Sequence, residues 1–146
     1  MKEYIGVKII KAESMDECTF LKTKKGQDIS NMETRLGYLV LYPDGYESWS
    51  PKEVFEEAYR LTCGMSFGLA VEAAKKGNCI SRRGWNGKGM WVWHCDVNED
   101  EKEWECSNKE IYTRVPYLYF KDSNDCVIPW VASQADILSD DWYIVE

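Results

Sequence analysis

The sequence has few of the residues that common catalytic and metal sites require. It contains one histidine, His94, and its six cysteines form no Cys-x-x-Cys pair, which argues against zinc binding. No apolar run approaches the roughly 18–20 residues of a membrane-spanning helix, and the first residues lack the layout of a signal peptide. We therefore expect a cytoplasmic protein with reduced thiols, no metal and no membrane contact.

Basic residues are also in deficit, with 18 Lys+Arg against 25 Asp+Glu and a formal net charge of −7. Proteins bind polynucleotides largely by replacing condensed counterions with Lys and Arg, so this balance argues against DNA or RNA polymers as partners. What the chain does have is apolar material: 45% of its 146 residues are hydrophobic and 14% aromatic. That is enough for one medium globular domain or two small ones.

The first segment, residues 1–62, is predicted to form a strand, a β-hairpin and a helix. Apolar side chains alternate along residues 4–10, which indicates a strand, and a polar stretch follows at residues 22–35. Pro43-Asp44-Gly45 separates two apolar runs and predicts a hairpin, because Asp-Gly supplies the positive φ of tight turns. Ser50-Pro51-Lys52-Glu53 predicts a capping box at the start of a helix.

The second segment, residues 64–146, is predicted to alternate short helices with strands. One helix begins after Ser66 and ends at Lys75-Lys76-Gly77, and a second begins at Ser133. The acidic stretch at residues 96–110 is predicted to be a mobile loop. Strands are predicted at residues 79–81, 90–94, 117–120, 126–128 and 142–145. The whole chain is thus expected to be α+β, with two small antiparallel β-sheets, each packed with a short helix.

The stretch from Arg82 to Lys88 combines three positive charges, the Trp85 indole and the Asn86 amide. Guanidinium groups bind phosphate, indoles stack on bases, and glycine amides approach phosphate oxygens closely, so this composition suits a nucleotide. The alternative is structural: Asn86-Gly87 is a hairpin turn, Trp85 a core aromatic and the arginines a solvated edge. Composition alone does not decide between the two.

The stretch from Pro129 to Asp136 offers a second set of candidate contacts. Trp130 is suited to stacking on a ring, and Ser133, Gln134 and Asp136 are suited to hydrogen bonding with ribose or base. Ser133 and Asp136 also fit a helix capping box that needs no ligand. Both roles are compatible, because a helix start presents free amides to an anion.

Catalytic alternatives depend on few residues. His94 and Cys95 are neighbours on a predicted strand and point to opposite faces, which is poor geometry for a nucleophile and its base. Asp136, Asp140 and Asp141 leave open a nucleotide-cleaving enzyme. A third hypothesis is a structural or adaptor protein, because seven tryptophans exceed what a small core requires.

Four motifs follow one another in the second segment: Ser66–Ala70, Arg82–Trp91, Pro129–Leu138 and Asp141-Trp142. Together they resemble the Thoeris anti-defense 2-like domain of phages and prophages over about residues 64–146. The resemblance implies a non-enzymatic protein that sequesters a cyclic nucleotide signal of the glycocyclic ADP-ribose type in the bacterial host cytoplasm, so that the Thoeris effector stays inactive. It also implies a homo-oligomer, a tetramer or a dimer, with no cofactor.

The resemblance also assigns candidate ligand-binding roles. It implies aromatic walls at Phe67, Trp85 and Trp130, a phosphate partner at Arg82, and hydrogen-bonding groups at Asn86, Ser133, Gln134 and Asp136. The acidic residues 96–110 lengthen a link that is often shorter in the family. Residues 1–62 look similar to a small module that recurs in phage proteins, for which no activity is implied.

Overall fold

The computed structural model describes residues 1–3, 5–97, 103–105, 109 and 111–146. The chain divides into two compact units, Met1–Arg60 and Leu61–Glu146, called here the first and second units. Both combine antiparallel strands with short helices, so the α+β class predicted from the sequence is confirmed.

The first unit is a three-stranded antiparallel sheet with two helices. Its strands are β1 (Lys11–Ser14), β2 (Gly37–Leu41) and β3 (Glu47–Pro51), in the order β1-β2-β3. Its helices are α1 (Glu17–Lys25) and α2 (Lys52–Ala58). The predicted hairpin is present: β2 pairs with β3, the Tyr42 amide donates to the Tyr46 carbonyl at 2.9 Å, and Gly45 has a φ of 84°.

The strand predicted at residues 4–10 is wrong over residues 5–10, because the pairing with β2 begins only at Lys11, opposite Leu41; residue 4 lies outside the described residues. Helix α1 was not expected; it begins before the polar stretch at residues 22–35 and ends within it. Its ends are nonetheless marked in the sequence: the Asp16 carboxylate accepts from the Thr19 amide at 3.0 Å, and Gly26 ends the helix with a φ of 63°.

The predicted capping box of the helix that became α2 is also wrong. Ser50 belongs to β3, and Pro51 takes the cap position without a side-chain hydrogen bond. The local sequence fits a capping box, but pairing of Ser50 with Tyr38 across the sheet extends the strand to Pro51. Strand pairing therefore takes precedence over a local cap.

The second unit is built on a five-stranded antiparallel sheet. Its helices are α3 (Phe67–Lys75) and α4 (Gln134–Ile137). Its strands are β4 (Ile80–Arg82), β5 (Trp91–Cys95), β8 (Tyr117–Lys121), β9 (Val127–Pro129) and β10 (Trp142–Ile144), and they lie in the order β10-β4-β5-β8-β9. These strands and both helices correspond to the elements that the sequence predicts.

The core of the second unit lies where α3 packs on the sheet. The small side chains of Ala70 and Ala74 allow the helix to approach closely, and beneath them Ile80, Val92 and Trp142 are fully buried. Because Trp142 belongs to β10 and Ile80 to β4, this core fixes the strand ends that carry the candidate site.

A third sheet was not expected. Residues 96–110 were predicted to be a loop, but β6 (Glu103–Glu105) pairs with β7 (Ile111–Thr113) in a two-stranded antiparallel sheet. The predicted mobility of this stretch is not tested at residues 98–102, 106–108 and 110, which lie outside the described residues. Across the ranges that are described, no helix is long and apolar enough to cross a membrane.

Candidate functional site

A buried carboxylate, Asp136, organises the site. It lies in the first turn of α4, where the Ser133 amide and hydroxyl donate to its Oδ2 at 3.0 and 2.6 Å. The Asp136 amide in turn donates to Ser133 Oγ at 3.2 Å, which completes the predicted capping box. The indole of Trp142 donates to the Asp136 carbonyl at 3.0 Å, so α4 is fastened to the core.

The Arg82 guanidinium joins Asp136 to a second carboxylate, Asp141. Its Nη1 donates to Asp136 Oδ1 at 2.7 Å, and its Nε donates to Asp141 Oδ1 at 2.8 Å. The Arg82 side chain is only 13% exposed, and the two carboxylates together offset its charge. The sequence assigns Arg82 to a ligand phosphate, whereas in the structure its donors are directed at protein carboxylates.

Trp85 belongs to the same network. Its Nε1 donates to Asp136 Oδ1 at 3.0 Å, so this oxygen accepts from both Arg82 and Trp85. The indole plane is therefore fixed at its polar edge by a hydrogen bond. Arg82, Trp85, Asp136 and Asp141 are called the carboxylate network below.

Hydrogen bonding keeps both carboxylates ionised. Burial acts to raise the pKa of Asp136, but donors from Ser133, Arg82 and Trp85 outweigh it and lower the pKa to about 2. The Arg82 guanidinium, against a smaller effect of burial, also lowers the pKa of Asp141, with help from the Gly84 amide. Neither group carries a proton to donate at neutral pH.

The predicted stacking residues form an aromatic cluster around Trp142. The ring centroids of Trp85 and Phe67 lie 5.4 and 5.6 Å from that of Trp142, and that of Trp130 lies 6.1 Å away. Trp85 also meets Phe120 edge to face at 5.2 Å. The structure thus brings together Phe67, Trp85 and Trp130, and these rings pack largely on one another.

A cavity of about 560 Å³ opens beside this cluster. Most of its wall is formed by the turn between β4 and β5, together with Tyr143 of β10. Its lining residues are Ser81, Arg82, Arg83, Trp85, Gly87, Lys88, Gly89, Met90 and Tyr143. Of the eight residues that the sequence singles out as ligand contacts, Arg82 and Trp85 line this cavity.

The turn that lines the cavity is anchored from several elements. The Gly84 amide donates to Asp141 Oδ2 at 2.8 Å, and the Ser81 hydroxyl donates to the Met90 carbonyl at 2.7 Å. Lys121 of β8 donates from its Nζ to the Gly89 carbonyl at 3.0 Å. The cavity wall is therefore held in place by Ser81, which lines it, and by Asp141 and Lys121, which do not.

The remaining candidates lie at the surface. Asn86 and Gln134 are exposed, and neither donates or accepts a side-chain hydrogen bond within the described part of the chain. Tyr143 lines the cavity and was not among the residues predicted to contact a ligand. The signal for it is strand alternation: Trp142 points into the core, so the next residue of β10 faces the other way.

Comparison with known proteins identifies the family of the second unit. The family model described as the Thoeris anti-defense 2-like domain matches residues 65–145, more than half of the chain. The chain belongs to this family. The Thoeris anti-defense 2-like match spans the whole carboxylate network and every residue that lines the cavity, and it leaves the first unit outside.

A curated relative agrees with the family match. The protein named Thoeris anti-defense 2 from Bacillus phage SP01 is 33% identical over 86 residues, which cover 56% of this chain and 94% of the relative. The resemblance that the four motifs indicate is thereby confirmed. The match covers nearly the whole of that relative and just over half of this chain.

Proposed function

We propose that this protein is a phage or prophage anti-defense protein that binds a cyclic nucleotide immune signal of the glycocyclic ADP-ribose type and sequesters it without cleavage. The Thoeris effector would then lack its activator. Family membership and the name of the phage relative support the anti-defense role. The proposal places the protein in the cytoplasm of the bacterial host, as a dimer or tetramer that needs no cofactor.

The observation that carries the proposal is the pair of cations at the cavity. Arg82 is offset by Asp136 and Asp141, so the positive charge available to an anionic ligand comes from Arg83 and Lys88. Among the described residues, neither of these two side chains lies within 4 Å of a carboxylate oxygen. Two cations at one opening suit a diphosphate.

The rest of the cavity suits the uncharged parts of a nucleotide. Its volume of about 560 Å³ falls within the range of roughly 300–1,000 Å³ typical of small-molecule sites. Trp85 and Tyr143 offer aromatic surface, and the Arg83 guanidinium lies 6.0 Å from the Tyr143 ring centroid. Gly89 leaves its backbone open to close approach, since a Cβ there would meet only Lys121 Nζ, at 3.7 Å.

The other candidate residues keep proposed roles around this cavity. Asp136 and Ser133 hold Arg82 and Trp85 in position, so their contribution to the ligand passes through those side chains. Asn86 and Gln134 are exposed and are proposed to reach the ligand directly. Phe67 and Trp130 are proposed to support the aromatic wall from behind Trp85.

Ionised carboxylates support capture rather than cleavage. A general acid must hold a proton at the working pH, but the pKa of Asp136 is about 2 and that of Asp141 is also lowered. The hydrogen bonds from Arg82 contribute to lowering both pKa values, which also makes these carboxylates weak bases. Asp136 and Asp141, two of the carboxylates named for a nucleotide-cleaving enzyme, are therefore better suited to holding the site together.

Calorimetric titration with glycocyclic ADP-ribose tests the proposal. Arg83→Ala and Lys88→Ala each remove a charged contact worth about 1.5–3 kcal/mol, so each should weaken binding roughly tenfold to a hundredfold. Lys76→Ala, an exposed lysine at the end of α3 and outside the cavity lining, is the matched control and should bind as the unaltered protein does. Unchanged affinity in a folded Arg83→Ala/Lys88→Ala variant would contradict the assignment.

A further inference from the structure

Residues 5–10 have the sequence of a strand without a strand partner in their own unit. Ile5, Val7 and Ile9 alternate with Gly6 and Lys8, the period of a β-strand. Yet within the described part of the chain, residues 5–10 take part in no backbone–backbone hydrogen bond. Their amides and carbonyls are free to pair with another strand.

The register of the sheet explains the missing partner. Lys11 pairs with Leu41, the last residue of β2, and the chain then turns through residues 42–46 into β3. Among the described residues of the first unit, no strand therefore continues alongside residues 5–10. Strand β1, which follows directly, is itself at an edge of its sheet.

One face of this segment is exposed and apolar. Ile5 is 95% exposed, Val7 40% and Ile9 39%. On the other face, Lys8 places its Nζ 5.4 Å from the ring centroid of Tyr42, a contact within the same unit. The segment is thus held to its own unit by the Lys8 face and presents the apolar face outward.

We propose that residues 5–9 pair antiparallel with residues 9–5 of a second copy of this chain, about a two-fold axis at Val7, with Glu3 and Lys11 beyond the two ends. In that register Val7 faces Val7, and Ile5 faces Ile9 of the second copy. Lys11 faces Glu3, which is a favourable charge pair. The segment complements itself when reversed, which is the requirement of a two-fold interface and favours a second copy over an unrelated partner.

This interface is independent of the proposed function, because it uses the first unit, outside the region matched by the family. It would join copies through an edge that otherwise exposes unpaired backbone, a feature that folded proteins normally cover or block. Loss of ligand binding would leave it intact, and loss of this pairing would leave the cavity intact.

Disulfide trapping in the full chain tests the register. Val7→Cys places two thiols opposite each other across the axis, with Cβ atoms about 4.5–5.5 Å apart. Lys8→Cys is the matched control, because Lys8 faces Gly6 and its two copies lie diagonally, roughly 7–8 Å apart and beyond disulfide reach. The unaltered protein gives the background from its own cysteines. A 7–7 disulfide identified by peptide mass analysis, formed at least about tenfold faster than an 8–8 disulfide, is expected; equal rates would overturn the proposal.

Charge reversal in the Val7→Cys background gives a second test. Glu3→Lys and Lys11→Glu each place like charges opposite one another, and each should slow trapping roughly twofold to tenfold. The double variant restores opposite charges and should restore the rate. A double variant that traps no faster than the single variants would overturn the register, because it would show that the two side chains do not face each other.

Discussion

The two units use the same ion-pair chemistry in different places. In the first unit, Arg35 pairs with Glu17 at 2.6 Å, but the Arg35 side chain is 63% exposed. In the second unit, Arg82 is 13% exposed and pairs with two carboxylates behind an aromatic cluster. Solvated pairs contribute about 0–1 kcal/mol, whereas a buried charge needs its partners. Because Arg82 is buried, its ion pairs with Asp136 and Asp141 organise the site.

The largest effect that sharpens this contrast is expected from Asp136→Ala. It removes a partner of the buried Arg82 and the acceptor of the Trp85 indole, and should lower the free energy of unfolding by about 3–5 kcal/mol. Urea unfolding followed by tryptophan fluorescence measures it. The matched change in the first unit is Glu47→Gln, which breaks the half-exposed pair with Lys24 and should cost about 1 kcal/mol or less. Similar losses for the two variants would refute the contrast.

The next largest effect is expected from Gly37→Ala, which should destabilise the first unit but not the second. A Cβ at Gly37 would collide with the Ser50 carbonyl and the Trp49 ring, so Gly37→Ala should destabilise the first unit by about 3 kcal/mol. Scanning calorimetry measures this loss. Because Gly37 lies in the first unit, nucleotide affinity should be unchanged at temperatures well below the unfolding transition. A Gly37→Ala protein of unaltered stability would contradict the packing around β2.

Acid should weaken the second unit through Asp136. Its pKa falls from an ordinary value of 3.8 to about 2 on folding, so its contribution is complete above pH 3.8 and is lost as the pH falls towards 2. The loss is about 2 kcal/mol. Unfolding titrations of the unaltered protein and of Asp136→Asn should therefore differ most near neutral pH and converge between about pH 4 and pH 2. A constant difference over that range would contradict the account.

The smallest expected effect is a gain in stability, from Gly68→Ala. Gly68 lies in α3, and a Cβ there would meet no atom within 4 Å. Gly68→Ala should therefore stabilise the second unit by about 0.5–1 kcal/mol, because alanine restricts the unfolded chain and favours helix. Thermal unfolding measures the gain, and a lower melting temperature would show that Gly68 has a role beyond helix flexibility.

Local chemistry made much of the fold predictable. The hairpin at Pro43-Asp44-Gly45 and the capping box of Ser133 with Asp136 depend on residues at most a few positions apart, and both are present. The strand prediction at residues 4–10 was wrong over residues 5–10 because a strand needs a partner. The length of the partner strand, β2, cannot be read from the alternation of residues 4–10. Helix α1 was missed because its residues are largely polar, despite the cap at Asp16.

The sequence indicated residues of the candidate site but not the contacts between them. The sequence picked out Arg82, Trp85 and Asp136, yet Arg82 and Asp136 meet across 54 positions of chain. Only the fold brings α4 to the end of β4. There Arg82, predicted to bind a ligand phosphate, donates to two carboxylates of the protein instead. The positive charges of Arg83 and Lys88 could be read from the sequence. The sequence does not show that Arg82 is paired with two carboxylates while Arg83 and Lys88 are left to contact a ligand.

The central claim is that the second unit captures a nucleotide signal and returns it whole. The most direct measurement is to saturate the pure protein with glycocyclic ADP-ribose, remove unbound material, denature the protein by heat, and identify the released molecule by mass spectrometry. The account predicts intact ligand in stoichiometric amount from the unaltered protein, and little from the Arg83→Ala/Lys88→Ala variant. Release of cleaved fragments, or retention of nothing by the unaltered protein, would contradict it.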